Sequence, residues 1–528
     1  MRRLALAAAL LCGTSLAIPA PASAQVFRWA NDGDVNSMDP YTRQETFLLS
    51  FNANIYEPLV RRDRQMGLEP ALAERWEQPS PTVWRFHLRR GVKFTDGTPF
   101  TADDVIFSAE RVRGPGSQMN SVLASVKEVR KVDDHTVEFE TRVPNPILIQ
   151  EITNWGMMSK AWAEKNNAVR PTDLTTRDEN FATRNAMGTG PFRLVSREPD
   201  RKTVLERNPG WWDKPTHNVE RAELNIIAND ATRVAALLSG EVDFVYTVPP
   251  QDVDRIRRTP GMQVIQGAEL RTIFFGLDQL RDELLKSDVK GKNPFKDVRV
   301  RRAMLLAIDV NSIQRIVMRG QSRPTNLLYG PGVNGFREED DKRPAVNIEE
   351  AKKLLADAGY PNGFGVTLDC PNDRYVNDEA ICTATVAMLA RIGIRVNLVA
   401  QTRARYFAEI NGPRYNTSFY MLGWTPTSVD AHNSLFNLAA TRDGTRGVFN
   451  SAGYSNPTFD QLVGQIAVET DAAKRQQQIS QASKILQDDV AFLPLHQQQI
   501  VWAARSNAEV VQTPDNYFQL RHVRLQAK

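Results

Sequence analysis

GVTLDCPNDRYVNDEAICTATVAMLARIGIRVNL, residues 365–398, is the stretch that decides the fold class. Gly365 to Asp369 reads as a strand, about Asp378 to Ile392 spaces its apolar residues as a helix, and Ile394 to Leu398 returns to strand. A strand, a crossover helix and a second strand in that order imply a parallel sheet. Cys370 and Cys382 flank the polar stretch from Pro371 to Ile381. That stretch can fold a strand end back onto a helix, so the two cysteines either pair or remain two buried thiols.

On the N-terminal side the pattern stays helical. Asn347 caps a helix with Glu350 in the box position, the stripe Ile348, Ala351, Leu354, Leu355 and Ala358 gives it an apolar face, and Gly359 stops it. Between Asn293 and Gly320, Asp297 can cap a helix whose Ala303, Leu306, Ala307 and Val310 share a face. Beyond the β-α-β unit a long helix runs from about Ala472 to Asp488, and strand-like segments Gln497 to Ala503 and Tyr517 to Leu525 follow.

The first half leans towards β structure. Val26 to Ala30 reads as a strand ending in the polar loop Asn31-Asp32-Gly33-Asp34. Alternation puts Trp84, Phe86 and Leu88 on one strand face and leaves His87 and Arg89 on the solvated one. Asp96-Gly97 marks a turn, Thr101 with Asp104 starts a helix, and Val129 to Val132 pairs with Val137 and Phe139 through an Asp133-Asp134 turn. Arg170 to Ala186 is polar and aperiodic and reads as a long surface connection, and Gly188-Thr189-Gly190-Pro191 as a tight turn. The whole is α/β.

The chain has 528 residues, 41% hydrophobic and 24% charged, which fits two or three packed units and excludes disorder, a coiled coil or a disulfide-built miniprotein. A net charge of +4 without a basic run excludes the usual footprint of nucleic-acid binding. Arg2 and Arg3, the apolar stretch Leu4 to Ile18 and Ala22-Ser23-Ala24 form a cleavable leader over residues 1–24, which points to a secreted or periplasmic protein. With Cys12 in the leader, the later pair lies in an oxidising compartment, and the six histidines have no metal-ligand spacing, so no cofactor or metal is expected.

No nucleophile elbow, P-loop, zinc-protease or dinucleotide fingerprint occurs. Acidic pairs such as Asp103-Asp104 and Asp133-Asp134 have structural roles at a helix start and a hairpin turn. The densest concentration of aromatic and polar groups follows one strand. Ser418 to Thr425 runs through Trp424 into a loop with Asp430, His432 and Asn433. Such a loop suits a ligand cleft, although periodicity alone favours Trp424 as a core residue.

Several segments together resemble the family 5 extracellular solute-binding proteins of ABC importers, the dipeptide and oligopeptide binders. They are Tyr56-Glu57-Pro58-Leu59-Val60, Gly67 to Trp76, Trp84 to Ser108 (WRFHLRRGVKFTDGTPFTADDVIFS) and Gly188 to Phe192 with Arg207-Asn208-Pro209 and Trp211-Trp212. Gly240 to Asp243, Asp297 to Asp309, Glu349 to Phe364 and Gly423-Trp424-Thr425 complete the series, in order, along nearly the whole chain after the leader.

The resemblance implies the two-lobed periplasmic-binding-protein fold of the peptide-binder (cluster C) type, with an enlarged first lobe. Lobe I would span 25–270 plus 500–528 with an extra subdomain at about 60–185, and lobe II 280–495. The hinges would be Glu269 to Asp278 and His496 to Val501. It further implies a monomeric binder, not an enzyme, that closes on a small solute and hands it to a membrane permease, a di- or oligopeptide being the expected cargo. In peptide binders an Asp three residues after the loop Trp meets the ligand amine. Here that position is Thr427, with Asp430 three residues further on as the substitute, and Thr425 and Trp424 beside it. Arg374-Tyr375 resembles the pair aimed at a ligand carboxylate, and Asn31, Asp32, His496 and Gln498 are cleft-wall candidates beside the hinges. Loss of the amine-pairing Asp leaves open a non-peptide solute such as an opine, a glycoside or a chelated metal. A secreted hydrolase is the alternative of another class, and it lacks a nucleophile–base signature.

Overall fold

The computed structural model describes residues 25–526 apart from 174, 175, 177, 178 and 413, so the leader reading for 1–24 lies outside the described residues. Two long strands, Met262–Leu277 and Phe492–Arg505, lie side by side and antiparallel at the middle of an 11-stranded sheet. On one side of them follow Phe419–Trp424, Gly365–Pro371 and Arg395–Gln401; on the other, Phe244–Val245, Val26–Asn31, Arg221–Ile226, Lys202–Arg207 and Phe192–Glu198. The predicted β-α-β unit is present: Gly365–Pro371 and Arg395–Gln401 pair in parallel through the helix Asp378–Ala390.

The apolar pattern divides into separate cores, giving a two-lobed α/β molecule. The first lobe packs Phe27, Trp29, Phe244, Trp502 and Phe518 in one cluster. That cluster continues into a 4-stranded sheet of Ala73–Ser80, Val83–Leu88, Thr136–Thr141 and Val126–Asp133. There Trp84, Phe86 and Leu88 point inward as alternation predicts, and Phe86 meets Phe139 edge-on at 5.1 Å. The second lobe packs Phe275, Leu368 and Phe419 on one side of its sheet and Phe274, Tyr420 and Phe492 on the other. The two long strands thread both lobes, and their pairing shifts register between Ala268 and Thr272, where the chain passes from one core to the next. A bulge at that point bends the ladder.

Local signals hold where the chemistry is strong. Thr101 and Asp104 form a capping box, and the Asn347 side chain accepts the Glu350 N–H at 3.0 Å while Gly359 takes φ +90°. The chain bends at 189–191 as the Gly188-Thr189-Gly190-Pro191 reading expects, and a Cβ on Gly188 or Gly190 would fall 2.0 or 2.6 Å from the Ile55 carbonyl oxygen, so glycine is required there by close backbone packing. Two readings need correction. Tyr517 to Leu525 is a short 3-10 turn at Leu520–His522 with only Arg524–Leu525 as strand, because its aromatics plug the first-lobe core instead of joining the sheet. At the two described ends of the stretch from Arg170 to Ala186, the buried Thr172 N–H donates to Asp39 at 2.9 Å and Phe181–Arg184 forms a helix, so these parts are anchored and not a free surface connection.

Candidate functional site

Between the lobes lies a cavity of about 580 Å³. Its floor is the pair of long strands, at Glu269, Arg271 and Gln498 to Trp502. First-lobe loops supply Asn31, Asp32, Glu45, Asp230 and Tyr246, and the second lobe supplies the segment from Asn372 to Ala380 together with Arg403.

The second-lobe wall follows from how the β-α-β unit turns its corner. Cys370, at the end of the strand, is bonded to Cys382 inside the following helix. Asp378 lies under the loop between them and accepts the N–H groups of Arg374 at 3.0 Å, Tyr375 at 2.9 Å and Glu379 at 2.9 Å. Burial pushes the Asp378 carboxyl up to about 6, against the pull of those N–H groups. Asn377 takes the left-handed φ of 55° that the turn into the helix demands, which asparagine tolerates. The result is a clamped corner that projects Arg374 into the cavity.

Among the described residues Arg374 has no hydrogen-bonded carboxylate. Its nearest is Glu45 of the opposite lobe at 3.7 Å, and its guanidinium stacks over Tyr375 at 5.2 Å. Burial works to lower its pKa, and Glu45, with Tyr375, Glu269 and Asp32, more than offsets this and leaves it above the ordinary value. On the floor, the fully buried Glu269 carboxylate accepts from Gln498 Nε2 at 2.5 Å and Asn516 Nδ2 at 3.2 Å and faces Arg271 at 3.4 Å. Arg271 reaches both lobes, donating to Thr46 at 3.0 Å and Thr425 at 3.1 Å. Arg403 lies over the first-lobe backbone, its Nη2 occupying the place where a Cβ on Gly33 would come within 2.5 Å.

Of the residues expected from sequence, Asn31, Asp32, Arg374, Tyr375 and Gln498 line this cavity. The loop from Trp424 to Asp430 does not. Trp424 packs on Phe449 and donates to Asn433 at 2.9 Å. Thr425 is taken by Arg271, and Thr427 accepts from Gln44 at 3.0 Å while its carbonyl accepts from Asn154 at 3.1 Å. Arg62 adds a bond to the Ser428 carbonyl at 2.8 Å. This loop is thus a direct contact between lobes. Asp430 is corrected most sharply: it is fully buried, forms two bonds with Arg475 at 2.8 and 2.9 Å, accepts Asn334 at 2.7 Å and caps the short helix Ala431–Ser434. A carboxylate so engaged has no capacity left for a ligand amine.

His496 is also corrected. It is 1% exposed, does not line this cavity, and among the described residues neither ring nitrogen has a hydrogen-bond partner. Burial alone depresses its pKa to about 3. The unfolded chain therefore takes up a proton near pH 6.5 that the folded one refuses. Stability is fully present above pH 6.5 and falls towards pH 3, at about 1.4 kcal/mol per pH unit from this group. His496→Leu is expected to flatten the loss of urea stability between pH 6.5 and 5; an unchanged slope would contradict this reading.

Sequence reasoning missed Glu45, Arg271, Arg403 and Gln44. Glu269 and Arg271 left a signal, two charges at alternate positions entering the otherwise apolar run Ile273 to Leu277, which places both on one strand face. Glu45 and Arg403 left none, because tertiary folding alone brings them to the gap.

Residues 67–446 match the family described as bacterial extracellular solute-binding proteins, family 5 Middle. The periplasmic oligopeptide-binding protein OppA of Salmonella typhimurium is 25% identical over 495 residues, covering 88% of this chain and 86% of its own. DppA from Helicobacter pylori, solved in complex with the peptide STSA, superposes with a TM-score of 0.82 at 25% identity, over 95% of this chain and 98% of that one. AgaA from A. tumefacien R10, solved with agropinic acid, gives a TM-score of 0.81 at 22% identity over 95% and 99%, a likeness of fold alone. No described helix is long and apolar enough to cross a membrane.

Proposed function

Because this chain belongs to the bacterial extracellular solute-binding proteins of family 5, which bind substrates and are not enzymes, we propose that it captures a small peptide between its lobes and delivers it to an ABC-type inner-membrane permease. The observation that carries this reading is the interlobe cavity with Arg374 on one wall and carboxylates on the other. Its volume of about 580 Å³ falls within the ~300–1,000 Å³ of small-ligand sites. Arg374 then receives the peptide carboxylate by a two-pronged hydrogen bond, and lobe closure turns binding into a change of shape that a permease can read. Lobes divided at 25–270 plus 500–528 and 280–495, hinged at Glu269 to Asp278 and His496 to Val501, a monomer acting in the periplasm after loss of its leader, belong to the same reading. The register shift at Ala268/Thr272 supports the hinge.

Calorimetric titration with dipeptides tests it. Binding is expected, and Arg374→Ala is expected to weaken it by about ten- to a hundredfold, the worth of a hydrogen bond to a charged group. Equal affinity in the variant removes Arg374 from the site. A non-peptide zwitterion such as an opine is the second reading. It draws on the uncharged Thr427, whose hydroxyl is already engaged by Gln44, and on the agropinic acid held by AgaA. Mass spectrometry of the compound that co-purifies with the protein separates the two.

A further inference from the structure

We propose that the cargo carries more positive than negative charge: a short peptide with a lysine or arginine side chain. This rests on reading the interlobe cavity as a peptide site, and it goes further by fixing the charge class of the peptide.

The cavity is lined by seven carboxylate side chains and four guanidiniums, with no lysine or histidine among its described lining residues. Three of the arginines already face acids. Arg233 pairs with Asp230 at 2.6 Å, Arg271 with Glu269 at 3.4 Å, and Arg374 with Glu45 at 3.7 Å. Arg233 is further spent on the carbonyls of Ile227, Ala228 and Thr247. That leaves Arg403 against Asp32, Asp373, Asp378 and Glu379. Asp378 satisfies three loop N–H groups and Asp373 accepts the Arg403 N–H at 2.5 Å, but hydrogen bonds from neutral groups do not cancel their charge. Among the described residues the side chains of Asp32 in the first lobe and Glu379 in the second form no hydrogen bond and no close ion pair, Asp32 acting on Arg374 only through its charge.

A gap enclosed by protein walls focuses such a surplus, and closing the lobes on it without counter-charge brings like charges together in a medium of reduced dielectric. A neutral zwitterion leaves the imbalance unchanged, since its amine and carboxylate cancel. A peptide with one basic side chain brings a net positive charge. Its carboxylate lies at Arg374 and Arg403, and its two cations have Asp32, Glu45 and Glu379 within the same walls.

The experiment is calorimetric titration of the dialysed full-length protein with three dipeptides matched in size, Ala-Lys, Ala-Leu and Ala-Glu, at low and at physiological salt. Ala-Lys is expected to bind about ten- to a hundredfold more tightly than Ala-Leu, with Ala-Glu the weakest and the preference shrinking as salt rises. Asp32→Asn, a substitution at an exposed loop residue, is expected to reduce the preference for Ala-Lys over Ala-Leu severalfold. Equal binding of all three peptides, or preference for Ala-Glu, overturns the charge assignment while the peptide reading stands. No binding by any of them removes the peptide reading itself, and the charge class of peptide with it.

Discussion

Replacing Arg475 by methionine is expected to cost about 3–5 kcal/mol of folding stability. Arg475 sits on the buried face of the helix Ala472–Asp488, with Nε donating to the Ile466 carbonyl at 3.1 Å and both Nη atoms on Asp430. Side-chain exposures of 7% and 0% leave the pair almost no water to fall back on. Methionine keeps much of the volume but strands the Asp430 carboxylate in the interior, with Asn334 as its remaining side-chain donor. The damage spreads to the lobe contact, because Asp430 fixes the end of the loop on which Thr425, Thr427 and Ser428 meet Arg271, Gln44 and Arg62. Val429 inside that loop holds a left-handed φ of 56°, costly for a β-branched residue and tolerated only where neighbours dictate it. Urea unfolding measures the loss. Unchanged stability would mean that the pair contributes nothing, and a selective loss of ligand affinity in a stable Asp430→Asn protein would restore Asp430 as a binding residue.

The second large effect is expected from the Cys370→Ser/Cys382→Ser double variant. The bond closes a span of 12 residues in sequence, and removing a closure of that length releases about 3 kcal/mol worth of chain freedom in the unfolded state. The bonded span is also the second-lobe wall, carrying Arg374 and Tyr375 on the segment that Asp378 braces. Affinity for the cargo is therefore expected to fall along with stability, and reducing agent is expected to reproduce both changes in the wild type and neither in the variant. If affinity holds while stability drops, the Asp378 brace alone suffices to set the wall.

Much of the architecture was legible because it rests on periodicity and capping. The β-α-β unit, the strand Val83–Leu88 and the helix after Asn347 follow from spacing alone, and collinear blocks extended those pieces into a family. Tyr517 to Leu525 misled because alternation cannot distinguish a strand from a segment whose aromatics plug a core. The cavity was legible in part. Arg374 and Tyr375 were found beside the strand that leads into them, whereas Asp430 and His496 were misplaced because sequence reveals a residue's chemistry but not which partners have already consumed it. Arg403 and Glu45 come from elements far apart in the chain, and only the docking of the two halves brings them to one gap.

The paired long strands have a mechanical meaning. Because the chain makes its passage between the halves twice within a single hydrogen-bonded ladder, running in opposite directions, sliding one half along the other would break many bonds at once. A swing about the irregular step near Ala268 and Thr272 breaks few. On the proposed reading, that swing is the one easy degree of freedom, so each opening would retrace the previous one and every passenger would be offered to the outside in the same orientation.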